Sequence, residues 1–308
     1  MVVLMKNVLV IGGSFFTGRV FSIQASKSGS FDLHVVNRGN FPMDLERVAQ
    51  YKCNRHSPRM LARLVPDISY DALIDFCAYE PGDIKSIIDV LGDRIKQYIF
   101  FSTASVYAQS EEFLNEGAPL LDIPDSDGDP AIEYVRKKLE LERELIEACE
   151  YAGVEYTILR PAFIYGPFNY APRESYFIEL IAKKYVVPVP IDAPARFNFV
   201  YVLDVAEALM ACIGDERAYG EIFNLASDEV IMYQQLMSDF ERYNNGPFET
   251  REVTVAQVEK ENIQLPFPLV ASTLYSGEKL ARTFDFHYTP FTEGMEKTFK
   301  IFYSIYTE

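Results

Sequence analysis

The residues with the clearest chemical potential are a tyrosine and a lysine at helical spacing. Tyr134 and Lys138 stand four positions apart in YVRKK, and this segment opens a helical pattern over 132–151. That spacing places both side chains on one helix face, about one turn apart. An ammonium beside a phenol favours the phenolate and so lowers the pKa of the tyrosine. With a hydroxyl from the polar segment STASVY at 102–107, the pair predicts acid/base transfer of a proton on or off a carbinol.

Such chemistry needs a hydride acceptor, and the amino-terminal segment predicts where one binds. A short apolar strand at 6–11 leads into GGSFFTG at 12–18 and then into a helical stretch to about residue 29. A glycine-rich turn lets the backbone approach a pyrophosphate, and the helix N-terminus stabilises its charge. The dinucleotide fingerprint places a middle glycine where this chain has Phe15. A tight strand-to-helix turn without a ligand therefore stays open as an alternative.

The elements that position these residues alternate as a parallel α/β sheet requires. Strands are predicted at 6–11, 33–36, 50–53, 72–77, 98–101 and 156–159, and helices at 58–64, 83–91 and 132–151, the last ending at Gly153. The acidic connection at 111–130 is long, and we expect it over the active site or on the surface. From residue 160 onward proline and aromatic residues become frequent. This shift indicates a substrate-binding portion, which the chain leaves and re-enters near 200–227.

Taken in order, these segments resemble the extended short-chain dehydrogenase/reductases, the NAD-dependent epimerase/dehydratase group. The matching segments are IGGSFFTG at 11–18, VVNRG at 35–39, DALIDFCAY at 71–79, STASVY at 102–107, YVRKK at 134–138, LRPAFIYGP at 159–167, FVYVLDVAEAL at 199–209 and FNLAS at 223–227. Phe15 and the NRG after the second strand are most similar to the atypical branch that includes the chloroplast stem-loop-binding proteins.

The resemblance implies a fold, a domain division and an activity. The fold is of the α/β class, a Rossmann-type doubly wound parallel sheet with a smaller C-terminal substrate-binding portion. Residues 1–165, with 199–227 returning to them, form the NAD(P)-binding domain, and 166–308 are mainly substrate-binding. The implied activity is NAD(P)-dependent epimerisation or oxidoreduction at a hydroxyl or ketone of a nucleotide sugar or related small molecule. The alternative is a non-catalytic NADP-binding regulatory or RNA-binding module on the same fold.

The resemblance also implies roles for individual residues. Tyr134 matches the catalytic acid/base, Lys138 its partner at the nicotinamide ribose, and Thr103 the catalytic hydroxyl. All three side-chain types are present, which argues against an inactive enzyme. Cofactor contacts are implied at Gly12, Gly13, Ser14, Phe15, Phe16, Gly18, Asn37, Arg38, Asn54, Ala78, Tyr79 and Pro161, and substrate contacts at Tyr107, Asn169, Arg173 and Arg196.

Two departures from the family pattern bear on the substrate and the reaction. Family members that hold nucleotide sugars carry a pyrophosphate-binding arginine ahead of an aspartate; alignment on Asp204 puts Phe197 there, with Arg196 one position early. Family dehydratases carry Asp-Glu after the catalytic threonine, where this chain has Ala104 and Ser105. Dehydration therefore lacks an obvious agent, which leaves oxidation, reduction or epimerisation.

The end of the second strand bears on the choice between NAD and NADP. NAD-preferring sites usually place Asp or Glu there, to accept hydrogen bonds from the ribose 2′-hydroxyl. This chain has Asn37 followed by Arg38. An uncharged residue removes the repulsion toward a 2′-phosphate, and arginine offers a bidentate donor for it. NADP is therefore favoured, with an Arg38 that points into water as the alternative.

Composition and charge limit the expected partners, metal sites and cellular compartment. The net charge is −16 and the pI about 4.7, so a nucleic-acid backbone would be repelled and no nucleic-acid partner is expected. The four cysteines are widely spaced, and the three histidines have no metal-site spacing. We therefore expect neither disulfides nor a metal. The apolar start lacks a cleavage site and no stretch has the length of a membrane span, so a cytoplasmic protein is expected.

The helix at 132–151 predicts a homodimer. It carries one apolar stripe that can cover the sheet and a second group at Ile132 and Leu141, part of which can remain available to a partner. Extended members of the resembled family commonly pair this helix and the one at 83–91 with their symmetry mates. Such a two-fold contact is the usual way in which two identical chains form a closed dimer. Glutamates on the helix oppose this pairing unless its basic residues interleave with them.

Overall fold

The computed structural model describes residues 5–123 and 128–308. Its strands are β1 (Lys6–Ile11), β2 (Phe31–Asn37), β3 (Val48–Lys52), β4 (Ala72–Asp75), β5 (Gln97–Phe101), β6 (Glu155–Pro161), β7 (Phe163–Tyr165), β8 (Val187–Pro190), β9 (Phe199–Tyr201), β10 (Glu221–Leu225) and β11 (Thr250–Val253). Its α-helices are α1 (Phe16–Ser28), α2 (Pro58–Leu64), α3 (Asp83–Leu91), α4 (Pro130–Ala152), α5 (Glu174–Ala182), α6 (Val202–Cys212), α7 (Tyr233–Tyr243), α8 (Val255–Glu261), α9 (Glu278–Phe284) and α10 (Phe291–Thr307).

Seven strands form one parallel sheet in the order β10-β6-β5-β4-β1-β2-β3. The chain builds outward from β1 to β2 and β3 on one side, then crosses to β4, β5, β6 and β10 on the other. The change of direction leaves a crevice beyond the carboxyl ends of β1 and β4, the point where α/β sheets of this kind bind ligands. Helices cover both faces of the sheet. The predicted fold class is confirmed.

Continuous apolar strands explain why both faces carry helices. Residues 8–11 of β1 are all buried, as expected of a strand covered on both sides. Alternate positions serve different cores: Val8 and Val10 join the core under α1 and α6, whereas Leu9 and Ile11 join the one under α3 and α4. Two small parallel sheets, β7 with β9 and β8 with β11, belong to the later part of the chain.

The predicted element boundaries hold with local corrections. The strand predicted at 72–77 ends at Asp75, because its carboxylate accepts a hydrogen bond from the Cys77 amide at 2.9 Å and turns the chain out of the ladder. Helix α4 begins two residues earlier than predicted, at Pro130, after Asp129 caps it by accepting from the Ala131 amide. Its predicted stop at Gly153 is confirmed by a left-handed φ of 67°. Within the predicted 111–130 connection, residues 124–127 lie outside the described part of the chain.

Helix α4 leaves less surface for a partner than its sequence suggests. Of the second apolar group, Leu141 is fully buried in the core between sheet and helix, and Ile132 is only partly buried. The Glu144 carboxylate accepts from the backbone amides of Gly82 at 2.6 Å and Lys85 at 2.7 Å. That carboxylate caps the start of α3 within the same chain. The homodimer itself stays a prediction.

Across 5–123 and 128–308, none of the helices combines the length and apolar character that crossing a membrane would need.

Candidate active site

A cavity of about 680 Å³ lies at the carboxyl ends of the central strands. Its volume is within the range of sites for cofactors and small ligands. The walls bring together sixteen of the nineteen predicted site residues: Gly12, Gly13, Ser14, Phe15, Phe16, Gly18, Asn37, Arg38, Asn54, Tyr79, Thr103, Tyr134, Lys138, Pro161, Asn169 and Arg173. Within the described residues, no cluster of His, Cys, Asp or Glu has a metal-binding arrangement.

The glycine turn forms one end of the cavity. Gly12 and Gly13 have φ of +104° and +61°, a conformation that side chains rarely permit. A Cβ on Gly18 would lie only 2.6 Å from the Gly13 Cα, so the start of α1 packs directly on the turn. The turn and the first residues of α1 therefore form one concave backbone surface in the cavity wall. Such a surface suits a pyrophosphate. Phe15, in the middle-glycine position, leaves the turn and stacks on Phe41 with ring centroids 5.0 Å apart.

The residue at the end of β2, Asn37, lines the cavity. The Asn37 side-chain oxygen accepts from the Gly39 amide at 2.7 Å and from Gln50 Nε2 at 2.9 Å. Its Nδ2 is buried without a hydrogen-bond partner among the described residues. A buried polar group of this kind normally has a partner. Beside it, Arg38 lines the cavity with an exposed side chain. The residues at this wall thus fit a ribose and its 2′ substituent.

A buried ion pair supports the next part of the wall. Arg55 Nη1 donates to both carboxylate oxygens of Asp75 at 2.8 Å, and its Nη2 donates to the Asp83 carbonyl at 2.7 Å. The Tyr98 hydroxyl also donates to Asp75, at 2.6 Å. These bonds fix the segment that carries Asn54 against the ends of β4 and β5. Arg55 and Asp75 were not predicted from the sequence, although a charged residue at the end of an apolar strand is a signal for such a pair.

The three predicted catalytic side chains share one wall. Thr103 follows β5 and caps a short 3-10 helix (Ala104–Val106), its Oγ1 accepting from the Ser105 amide at 3.2 Å. Tyr134, in α4, is 41% exposed toward the cavity. Lys138, one turn later, is 2% exposed. Its Nζ lies 5.8 Å from the centre of the Tyr134 ring.

Lys138 is fixed by the backbone. Its Nζ donates to the carbonyls of Phe101 at 2.9 Å and Ala78 at 3.1 Å. Ala78, a predicted cofactor contact, is therefore buried behind the wall and holds the lysine instead. Burial lowers the pKa of Lys138 to about 8, against the attraction of Asp75 and other charges. The ammonium thus remains largely charged at neutral pH.

The predicted direction of the Tyr134 shift is wrong in this structure. Desolvation in the cleft, helped by the nearby Tyr170, raises the pKa of Tyr134, and the Arg173 guanidinium opposes this rise. Lys138 is not among the groups that lower the phenol pKa; its Nζ donates to two carbonyls and lies 5.8 Å from the centre of the Tyr134 ring. Tyr134 is accordingly protonated at neutral pH, ready to give a proton.

A buried polar network lies behind the catalytic wall. Glu142, one turn beyond Lys138, receives two hydrogen bonds from Arg160, at 2.9 Å and 2.5 Å, and one from the Ser102 hydroxyl at 2.5 Å. The network ties the loop that carries Thr103 to α4. Continuing the spacing of four from Tyr134 and Lys138 would have pointed to Glu142.

Tyr107 belongs to this network rather than to a substrate contact. Its hydroxyl donates to Asn224 Oδ1 at 2.7 Å and accepts from Arg160 Nη1 at 2.9 Å. The side chain is 5% exposed and lies outside the cavity wall. The predicted substrate contact at Tyr107 is therefore corrected.

The far end of the cavity is formed by the 166–173 loop, which joins β7 to α5. Asn169, Tyr170, Ala171 and Arg173 of this loop line the cavity. The Arg173 guanidinium lies over the Phe163 ring, 5.3 Å from its centre. Arg173 forms no salt bridge with the described part of the chain.

Arg196, the other predicted anion contact, is directed elsewhere. It donates to the Glu111 carbonyl at 2.6 Å and pairs with the Glu111 carboxylate at 3.3 Å. It lies outside the cavity wall, so this prediction is corrected. The neighbouring Phe197 is fully buried and packs against Phe163 and Phe267.

Comparisons with known proteins agree with this geometry. The sequence profile of the NAD dependent epimerase/dehydratase family matches residues 8–226. The chloroplast stem-loop binding protein of 41 kDa b from Arabidopsis thaliana is 26% identical over 245 residues, 75% of this chain and 61% of that protein. UDP-glucose 4-epimerase from Vibrio cholerae is 21% identical over 197 residues, 63% of this chain and 53% of that protein. The chain thus spans less than two thirds of both relatives.

A solved structure shows the same fold. UDP-glucose 4-epimerase from Thermotoga maritima, crystallised with UDP-glucose, superimposes with a TM-score of 0.78 at 20% identity. The match covers 97% of this chain and 99% of that one. The resemblance drawn from the ordered motifs is confirmed, because the matched profile extends from β1 to the end of β10. This chain belongs to the NAD-dependent epimerase/dehydratase family.

Proposed function

We propose that the protein is an NAD(P)-dependent epimerase or oxidoreductase acting on a hydroxyl or ketone of a nucleotide sugar or a related small molecule. The observation that carries this proposal is the shared cavity: Thr103, Tyr134 and Lys138 face the same space as the glycine turn. The turn, Asn37, Asn54 and Tyr79 would hold the dinucleotide. When bound, its nicotinamide accepts or supplies the hydride.

The protein's own side chains would handle the proton and the substrate oxygen. Tyr134 is protonated at neutral pH, so it can give its proton to the carbonyl oxygen during reduction. In the reverse direction, oxidation of the carbinol, the phenolate form of Tyr134 takes the hydroxyl proton. The Thr103 hydroxyl orients the same oxygen. Lys138, fixed by two carbonyls, supplies a localised positive charge beside the phenol. With Ala104 and Ser105 after the threonine, elimination of water has no carboxylate to assist it.

A non-catalytic role on the same fold is the second candidate. It is supported by the likeness to a protein named for stem-loop binding and opposed by the net charge of −16, which repels a phosphate backbone. The absence of a nucleic-acid partner, like the homodimer, stays a prediction.

Turnover of a panel of nucleotide sugars separates the two candidates. Each sugar is incubated with the protein and either NADP or NAD, and the products are followed by proton NMR. Catalysis predicts conversion of one sugar to its epimer, or to a ketone with equivalent reduction of the dinucleotide. Tight dinucleotide binding without turnover of any sugar or ketone would contradict the enzymatic proposal and favour the binding module.

We further propose NADP as the preferred cofactor, and Arg38→Ala tests it. If Arg38 binds the 2′-phosphate, its loss should weaken NADP(H) binding by about 1.5–3 kcal/mol, the range for a hydrogen bond to a charged group. NAD(H) binding should hardly change, because NAD lacks that phosphate. Calorimetric titration of both dinucleotides into both proteins is the measurement. Equal losses for the two would exclude the phosphate contact.

A further inference from the structure

The 166–173 loop supplies much of the substrate side of the cavity but has little regular structure to hold it. It runs from Gly166, with a φ of +129°, through Phe168, with a φ of +66°, to the first turn of α5. Four of its residues reach the cavity wall. Tyr170 also contacts the glycine-turn side, with its ring centroid 4.8 Å from that of Phe15. The position of this loop therefore sets the width of the cavity.

The Asn169 side chain lies at the centre of the loop, and its polar atoms are used within it. Its Oδ1 accepts from the Ala171 amide at 3.0 Å. Its Nδ2 donates to both carboxyl oxygens of Glu174 at 3.1 Å. Although Asn169 lines the cavity, these bonds make it an internal support of the loop. A direct contact with substrate, as predicted from the family resemblance, would have to compete with them.

Glu174 connects the two ends of the loop. Its side chain is fully buried, and its Oε1 also accepts from the Gly166 amide at 3.2 Å. One carboxyl group thus joins the first residue of the loop, its central asparagine and the start of α5. Burying a carboxyl group is costly unless hydrogen bonds compensate. These donors supply that compensation only when the loop is closed.

We propose that Glu174 is a positioning residue that fastens the 166–173 loop so that Tyr170 and Arg173 face the reacting group beside Tyr134. This role of Glu174 deepens the proposed function, and its kinetic test rests on that function. The fastening itself is measurable in the free protein, without substrate or cofactor.

The groups around Glu174 give the loop a defined dependence on pH. Burial raises the pKa of Glu174 to about 7, against its hydrogen bonds with Asn169 and Gly166 and the nearby Arg173. The other ionisable groups facing it are Tyr165 of β7 and Tyr306 of α10. Their pKa values are raised above 10.0, so neither phenol titrates between pH 6 and 8.

Glu174 has a different pKa in the closed loop than in the opened loop. Opening exposes Glu174, whose pKa then returns toward its ordinary 4.5 from about 7. The closed loop binds the proton more tightly, so raising the pH favours opening. Between pH 6 and pH 8 the opening equilibrium should increase about tenfold, as a pKa difference of this size requires.

Hydrogen exchange tests the fastening, with rates corrected for the intrinsic effect of pH. Asn169→Ala and Glu174→Ala should each raise exchange in the 166–173 segment about tenfold or more, and leave the central strands unchanged. Glu174→Gln keeps an acceptor oxygen but cannot ionise. It should hold the loop closed and abolish the pH dependence seen in the wild type. Glu179→Gln changes a partly exposed carboxylate on the same helix, which pairs with Lys183 and not with the loop. It is the matched control and should behave like the wild type.

The kinetic measurement uses the nucleotide sugar that the protein converts in the panel described above. Asn169→Ala should raise KM for that sugar about tenfold, while kcat and the dinucleotide Kd change less than about threefold. Wild-type exchange at 166–173 in Asn169→Ala, or pH dependence surviving in Glu174→Gln, would overturn the inference. If the exchange results hold but no sugar is turned over, the fastening stands and the proposed function fails.

Discussion

Tyr134→Phe is expected to lower turnover by about 100-fold or more, the usual contribution of a positioned acid or base. The substitution keeps the ring, its place on α4 and its contacts with the cavity wall, and removes only the hydroxyl that carries the proton. Dinucleotide affinity should therefore hardly change. The measurement is kcat on the converted sugar, together with calorimetric titration of the dinucleotide.

Tyr151→Phe is the matched control for this prediction. Tyr151 belongs to the same helix but is 95% exposed near its end, so the loss of its hydroxyl should leave turnover unchanged. Wild-type kcat in Tyr134→Phe would contradict the catalytic assignment. An equal loss in both variants would show that the effect does not arise at the cavity.

The second large effect concerns stability. Arg160→Met is expected to lower the free energy of unfolding by about 3–5 kcal/mol, because it leaves a buried carboxylate without its charge partner. Glu142 and Arg160 are 4% and 2% exposed, and two hydrogen bonds join them. Urea unfolding followed by circular dichroism measures the loss.

The double variant Glu142→Leu/Arg160→Met shows whether the stability loss in Arg160→Met arises from the unpaired carboxylate. Replacing both partners removes the uncompensated charge, so the double variant should be markedly more stable than Arg160→Met alone. The Ser102 hydroxyl then loses its acceptor, which limits the recovery. Additive losses from the two single changes would contradict a direct pair. A loss below about 1 kcal/mol in Arg160→Met would show that the carboxylate finds another partner.

The features that could be predicted from the sequence are those in which short segments determine geometry. A spacing of four on a helix fixes Tyr134 and Lys138 on one face whatever the rest of the chain does. Gly12, Gly13 and Gly18 are confined to glycine by backbone conformation and close packing. Alternating strands and helices allow few topologies beyond a parallel sheet. These local rules located the cavity and most of its walls.

The predictions that required correction depend on partners distant in sequence. Tyr107 is held by Asn224, and Arg196 by Glu111. Lys138 is directed at the Ala78 carbonyl, which comes from a different strand end. No spacing rule identifies which of several polar residues a folded chain will pair. The pKa direction at Tyr134 depends on how strongly the folded cleft desolvates the phenol, which no local spacing reveals.

For Asn37 and Arg38, the sequence indicates a position at the cofactor site but not the direction of the side chain. Asn37 and Arg38 adjoin the cavity as their position after β2 implies. The sequence did not reveal that Gln50 donates to the side-chain oxygen of Asn37, or that the Asn37 amide nitrogen has no partner among the described residues. Glu174 went unnoticed because it follows Arg173 at a helix start, where an acidic residue is common.

The proposed function requires that this cavity binds a nicotinamide dinucleotide. The most direct test is a native mass spectrum of the undenatured protein after incubation with NADP or NAD and removal of free nucleotide. We predict the 35.2 kDa chain with the mass of one dinucleotide added, retained more strongly for NADP. A spectrum showing only the bare chain after incubation with either dinucleotide would contradict the claim.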